Sequence, residues 1–122
     1  MVNQILRSLN DSHQVLSSVI NNQLLIKKIS HISEVIIDWF KNEKKIIICG
    51  NGGSLCDAMH FSEEFTGRFR NDRQPLPVIA LSDAGHITCV GNDYGFDEVF
   101  SRGVQAYGNK GDIFIGLSTS GN

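Results

Sequence analysis

The sequence predicts an α/β chain: a doubly wound parallel sheet preceded by two helices. Three observations carry this. The runs Lys45–Cys49, Val78–Ser82 and Asp112–Leu117 are short, unbroken and mostly apolar, as strands buried on both faces are. The segments between them, and the first forty residues, show helical spacing instead. Strand, helix, strand, helix, strand is the alternation of an open parallel sheet.

The elements follow in order. Val2, Ile5, Leu6 and Leu9 recur at helical spacing, as do Val15, Leu16, Val19 and Ile20. Asn21 and Asn22 interrupt the pattern, and either suits the cap of a second helix. Leu24, Leu25, Ile29, Ile32, Val35, Ile36, Trp39 and Phe40 then form an apolar face too wide for one contact surface. Two helices packed on each other would use part of it; a second copy of the chain would cover the rest. Residues 1–43 are therefore expected to be helical and to serve oligomerisation, and residues 44–122 to form an α/β domain.

After the first strand, Gly50-Asn51-Gly52-Gly53-Ser54 reads as a loop, with Ser54 capping a helix over about Leu55 to Phe65 and Gly67 stopping it. Arg68–Pro77, with three arginines and both prolines, reads as an exposed connection. A short helix over Asp83–Val90, a turn at Gly91–Gly95, and a helix marked by Phe96, Val99, Phe100 and Val104 and closed by Gly108 complete the pattern. The last strand runs into Ser118-Thr119-Ser120-Gly121-Asn122. Such a loop ordinarily opens into another helix, so the chain is expected to stop part-way through its domain.

Composition narrows the function classes. With 122 residues, 41% of them hydrophobic, disorder is excluded. Eleven basic against thirteen acidic side chains give a net charge of −2, against a nucleic-acid binder that works through bulk positive charge. Cys49, Cys56 and Cys89 follow no CxxC pattern, which removes zinc-ribbon and disulfide-scaffold readings. No signal peptide or membrane span is evident, and a cytoplasmic location is expected.

Chemistry is expected at strand ends, where open α/β sheets bind ligands. In Gly50–Ser54, glycines let backbone amides approach a ligand, and the Ser54 hydroxyl sits where a helix favours anions. The loop is neither a Walker A sequence nor a full GxGxxG, because no Lys follows it and Leu55 occupies the third glycine position. Ser118, Thr119 and Ser120 put three hydroxyls at the end of the last strand, suited to a phosphate monoester without a metal. His60 and Glu64 share a helix face at i, i+4. They could be a surface contact, a metal half-site, or a base with its neighbour; Glu63 is expected to point about 100° away. Asn92-Asp93 lies in a glycine-flanked stretch where an Asx turn is the ordinary reading.

The ordered set CGNGGS (49–54), DAMHFSEEFTGR (57–68), GNDYGF (91–96) and GLSTSGN (116–122) resembles bacterial phosphoheptose isomerases of the sugar-isomerase (SIS) superfamily. The resemblance covers essentially the whole chain. It implies a SIS-type, flavodoxin-like three-layer sandwich. It implies an aldose–ketose isomerase that converts sedoheptulose 7-phosphate to D-glycero-D-manno-heptose 7-phosphate through an enediol, in heptose biosynthesis for lipopolysaccharide core. By position it implies that Asn51, Gly52, Gly53 and Ser54 form the first substrate loop, Asn92 and Asp93 the second contact, and Ser118, Thr119 and Ser120 the phosphate loop. Glu64 becomes the catalytic carboxylate, and His60 with Glu64 half of a zinc site. It further implies a homotetramer with active sites between subunits. Family members continue past GLSTSGN with another phosphate-contacting Ser and with a Gln and a His that complete the site. This chain alone is therefore expected to lack a complete zinc site and to have little activity. The rival is a non-catalytic sugar-phosphate-binding SIS protein of the replication-initiator-associating type. Glu63-Glu64 favours the enzyme over that reading.

Overall fold

The computed structural model describes residues 1–121. The elements are α1 (Val2–Asn21), α2 (Gln23–Lys41), β1 (Ile46–Gly50), α3 (Gly53–Thr66), β2 (Val78–Ala80), α4 (Ala84–Asp93), a 3-10 turn (Phe96–Glu98), α5 (Val99–Tyr107) and β3 (Ile113–Leu117). They divide into two compact units, Met1–Ile37 and Asp38 onward, so the last turn of α2 belongs with the sheet.

In the first unit the Asn21-Asn22 interruption separates the two helices. Asn22 closes α1 through its N–H on the Val19 carbonyl, and its side-chain oxygen accepts the Leu25 N–H at 3.0 Å to open α2. No residue of α1 or α2 is buried. Leu24 is 74% exposed and Ile32 56%, with Ile5, Leu9, Leu16 and Ile29 also largely open.

The second unit is built on a three-stranded parallel sheet of order β2-β1-β3. β1 is buried along its whole length, as its unbroken β-branched run requires. Side chains alternate across the sheet. Ile47 and Cys49 form a cluster with Leu81, against which Phe100 and Val104 of α5 pack. Ile46 and Ile48 point to the opposite face, closed by α3 with Ala58 fully buried. The result is the expected layering of helices on both faces of a parallel sheet.

Several element ends differ from expectation. α3 starts at Gly53 with Gly52, not Ser54, as N-cap. Gly52 has φ +57°, a conformation glycine reaches without strain, so the chain turns one step earlier than a serine cap would allow. α4 continues through Asn92 and Asp93 to the Tyr94 cap, so these residues close a helix instead of forming a turn. Gly91 does not stop it, because one glycine costs a helix only about 1 kcal/mol. The break comes at Gly95, with φ +102°. The 68–77 connection is not wholly free. The Arg73 guanidinium donates to the carbonyls of Glu64 and Phe65 at 2.6 and 2.9 Å, satisfying acceptors that the end of α3 leaves open.

The lower end of the sheet is tied by polar contacts. The Asp112 carboxylate meets Lys45 Nζ at 2.6 Å and accepts the backbone N–H groups of Lys45 at 3.1 Å and Asn109 at 2.7 Å. Burial pushes its pKa up, but these hydrogen bonds and the lysine charge outweigh that and bring it down to about 2. The Trp39 indole N–H donates to the Gly111 carbonyl, and Phe40 packs on Phe65 with ring centroids 5.7 Å apart. Trp39 and Phe40, expected on an oligomer face, thus make contacts within the α/β unit.

Candidate functional site

Parallel pairing of β1 with β3 places Cys49 opposite Gly116 and Gly50 opposite Leu117. The next residues of both strands therefore leave the sheet side by side. Here the chain goes from β1 to one neighbour and later returns to the other, the kind of crevice where open α/β sheets hold ligands. A cavity of about 730 Å³ lies there. Asn51 of the first loop and Ser54 in the first turn of α3 line it, together with Ser118, Thr119, Ser120 and Gly121 of the second loop, with Phe100 and Phe114 as apolar wall.

The local backbone explains the shape. A Cβ on Gly50 would lie 2.7 Å from backbone atoms of Ser54, so the tight return of the loop needs glycine. Ser118 Oγ accepts the Gly121 N–H at 2.9 Å and lies 3.4 Å from Ser120 Oγ, which folds the second loop back over the crevice. Gly52 and Gly53 shape the neck of α3 and do not line the cavity. Cys49, at its inner end, has its thiol pKa raised by burial, which keeps it neutral and a poor nucleophile at neutral pH.

His60 and Glu64 meet on α3, Nε2 to Oε1 3.0 Å. The expectation for Glu63 is overturned. Its carboxylate lies 3.7 Å from His60 Nε2, and one ligand atom of each of the three residues falls within 4.8 Å of the others. The His60 ring sits between the i+3 and i+4 positions, and a glutamate chain is long enough to swing toward it from either. Glu64 is the less exposed, at 30% of its side chain against 70% for Glu63. A nitrogen and two carboxylates suit a divalent ion such as zinc. None of the three lines the crevice. Glu64 lies about 15 Å along the helix from Ser54 by the ordinary rise.

Asn92 and Asp93 stay clear of the crevice as well. At the end of α4, Asp93 Oδ1 accepts from Asn92 Nδ2 at 2.8 Å, and Oδ2 accepts from the Cys89 thiol at 3.5 Å. Sequence reasoning missed Cys49, Phe100 and Phe114 as crevice residues, and Cys89 as a partner of Asp93. The i, i+4 spacing of Cys89 and Asp93 was the available signal for the last. Phe114 could have been found from its register with Ile47, which puts both on the α5 face.

The fold and crevice define an open parallel α/β domain whose two crevice-lining loops follow adjacent strands. More particularly, the chain belongs to the SIS domain family, matched over residues 9–122. It is 52% identical over 118 residues to the phosphoheptose isomerase of Fusobacterium nucleatum, covering 97% of this chain and 61% of that protein. It is 56% identical over 119 residues to that of Glaesserella parasuis, covering 98% and 62%. The solved structure of a phosphoheptose isomerase from Francisella tularensis superposes with a TM-score of 0.91 at 34% identity, over 97% of this chain and 61% of that one. The corresponding structure from Neisseria gonorrhoeae gives 0.82 at 38%, over 98% and 62%. The chain thus spans about three fifths of the length of these relatives. Among the described residues no helix is long and apolar enough to cross a membrane.

Proposed function

We propose that this chain is the substrate-phosphate part of an aldose–ketose isomerase that converts sedoheptulose 7-phosphate to D-glycero-D-manno-heptose 7-phosphate, supplying heptose for lipopolysaccharide core. The observation that carries this reading is the single crevice shared by the Gly50–Ser54 and Ser118–Gly121 loops. Its size suits a phosphosugar. Relatives named for the activity lend it support.

In this reading Ser118, Thr119, Ser120 and the neighbouring amides hold the phosphate by charge-assisted hydrogen bonds. Asn51 and Ser54 meet the sugar next to it. Asn92 and Asp93, which like Glu64 lie clear of their own crevice, supply a further contact to a sugar held by a neighbouring copy. Glu64 takes a proton from C1 of the ketose and returns it to C2 of the enediol, while the O1 proton moves to O2. His60 orients Glu64 through their 3.0 Å contact. His60 and Glu64, with Glu63 beside them, are the residues that would hold a zinc ion, whose chemistry here is polarisation of the substrate oxygens. The separation of Glu64 from its own crevice favours a carboxylate that serves the crevice of a neighbouring copy, in a homotetramer. The exposed apolar faces of α1 and α2 agree with such an assembly. Three free cysteines suit a reducing cytoplasm.

The test is an isomerase assay on the intact protein with sedoheptulose 7-phosphate. Formation of the aldose, lost in E64Q while substrate still binds, is expected. Tight sugar-phosphate binding with no conversion would favour a non-catalytic SIS protein instead.

A further inference from the structure

We propose that Cys89 is a positioning residue for sugar binding: its thiol donates to Asp93 Oδ2 and, with Asn92 Nδ2 on Oδ1, fixes the plane of the carboxylate that the sugar hydroxyls meet. This deepens the reading above and rests on Asn92 and Asp93 touching the substrate.

The argument starts from where Asp93 sits. It is the last residue of α4, where the helix dipole disfavours a negative charge, so the carboxylate is poorly placed to help the fold. It is exposed, and among the described residues no cation pairs with it. An exposed carboxylate without an ion pair ordinarily samples its rotamers freely. In this structure two donors engage Asp93, one on each oxygen. Asn92 Nδ2 stands 2.8 Å from Oδ1 and Cys89 Sγ 3.5 Å from Oδ2.

The two donors differ in independence. Asn92 is the adjacent residue and moves with Asp93. Cys89 is one helical turn back, anchored in the body of α4, and gives the carboxylate a fixed reference. The thiol remains a donor at neutral pH. Its hydrogen bond to Asp93, then the Asp93 charge, then burial raise its pKa, with only Arg102 acting in the other direction. Arg102 is itself held, its guanidinium 3.8 Å from the centre of the Tyr94 ring. A carboxylate pre-oriented in this way loses less freedom when a polyol binds.

The experiment compares C89A, C89S and D93N in the intact protein, by calorimetric titration with sedoheptulose 7-phosphate and by steady-state kinetics. C89A is expected to raise Kd and KM about threefold to tenfold, with kcat and the thermal midpoint unchanged. C89S, which restores a donor, is expected to recover most of the affinity, and D93N to lose more than C89A. C89A binding like the parent, or C89S as weak as C89A, overturns the proposal, while weakened binding by D93N in the same titrations leaves the sugar contact of Asp93 standing. D93N binding like the parent overturns it at its base, because Asp93 then does not meet the sugar.

Discussion

Gly50 and Leu117 are register partners at the carboxyl ends of adjacent parallel strands, and that pairing is what brings two loops, remote in sequence, to one crevice. Each loop alone is an ordinary turn. Together they give a concave surface with hydroxyls and amides on two sides.

Gly50→Ala tests the geometry of that turn. The added Cβ would stand 2.7 Å from the Ser54 backbone, which cannot yield cheaply. A loss of about 1–3 kcal/mol in urea unfolding is expected, with weakened sugar-phosphate binding. Gly53→Ala is the control. No atom lies within 4 Å of its Cβ position, so stability should be unchanged or slightly raised. Equal effects of the two substitutions would contradict the close-approach account.

Replacing both Ser118 and Ser120 with Ala removes two hydroxyls that line the crevice. A hydrogen bond to a charged group contributes about 1.5–3 kcal/mol, so Kd for the sugar phosphate should rise at least about tenfold. The effect on kcat should be smaller. Unchanged affinity in a titration would reject these residues as the phosphate loop.

Glu64→Gln should lower turnover by about 10²–10⁴-fold, the range for removing a general base, while binding persists. Glu63→Gln is expected to cost less than about tenfold, since its contact with His60 is longer and more exposed. If zinc is held here, titration with the metal alone should show both substitutions weakening it, Glu64→Gln more. Equal and mild losses of turnover would remove Glu64 as the base.

Asp112 makes a pH prediction. Its folded pKa is about 2, below the ordinary 3.8, so the folded state binds this proton less readily than the unfolded chain does. Its stabilisation is complete above about pH 4 and fades as pH falls toward 2, amounting to about 2 kcal/mol. Asp112→Asn should flatten acid unfolding in that window. It should also lower stability at pH 7, because it leaves the Lys45 ammonium, 19% exposed, without its partner. An acid-unfolding curve identical to the parent's would refute this.

Much of this architecture was legible because the signals were strong and local. The unbroken Ile46-Ile47-Ile48 run marks a doubly buried strand, and the Asn21-Asn22 break marks a helix junction to within a residue. Boundaries at glycine were misjudged for a physical reason. Gly91 tolerates a helix and Gly95 does not continue one, and only backbone conformation separates them. The Glu63 orientation was missed because the angle between successive helix positions fixes where a side chain begins, not where a long one ends. Convergence of the two strand-end loops follows from parallel order, which the alternation of elements implied. The separation of Glu64 from the crevice needed the structure.

The Lys45–Asp112 pair joins residues 67 apart in the chain. It also sits at the start of the strand pairing that aligns the two loops. Closing a loop of that length comes late and slowly compared with forming a helix or the shorter β1–β2 crossover. A chain in which every element but β3 has formed would already have most of its secondary structure, yet no completed crevice for a ligand. The appearance of sugar-phosphate binding during refolding should therefore lag behind the recovery of helical signal and mark completion of the longest-range contact. A ligand that binds only such completed chains also withdraws them from the partly folded pool, so its presence during synthesis would act on yield as well as on activity.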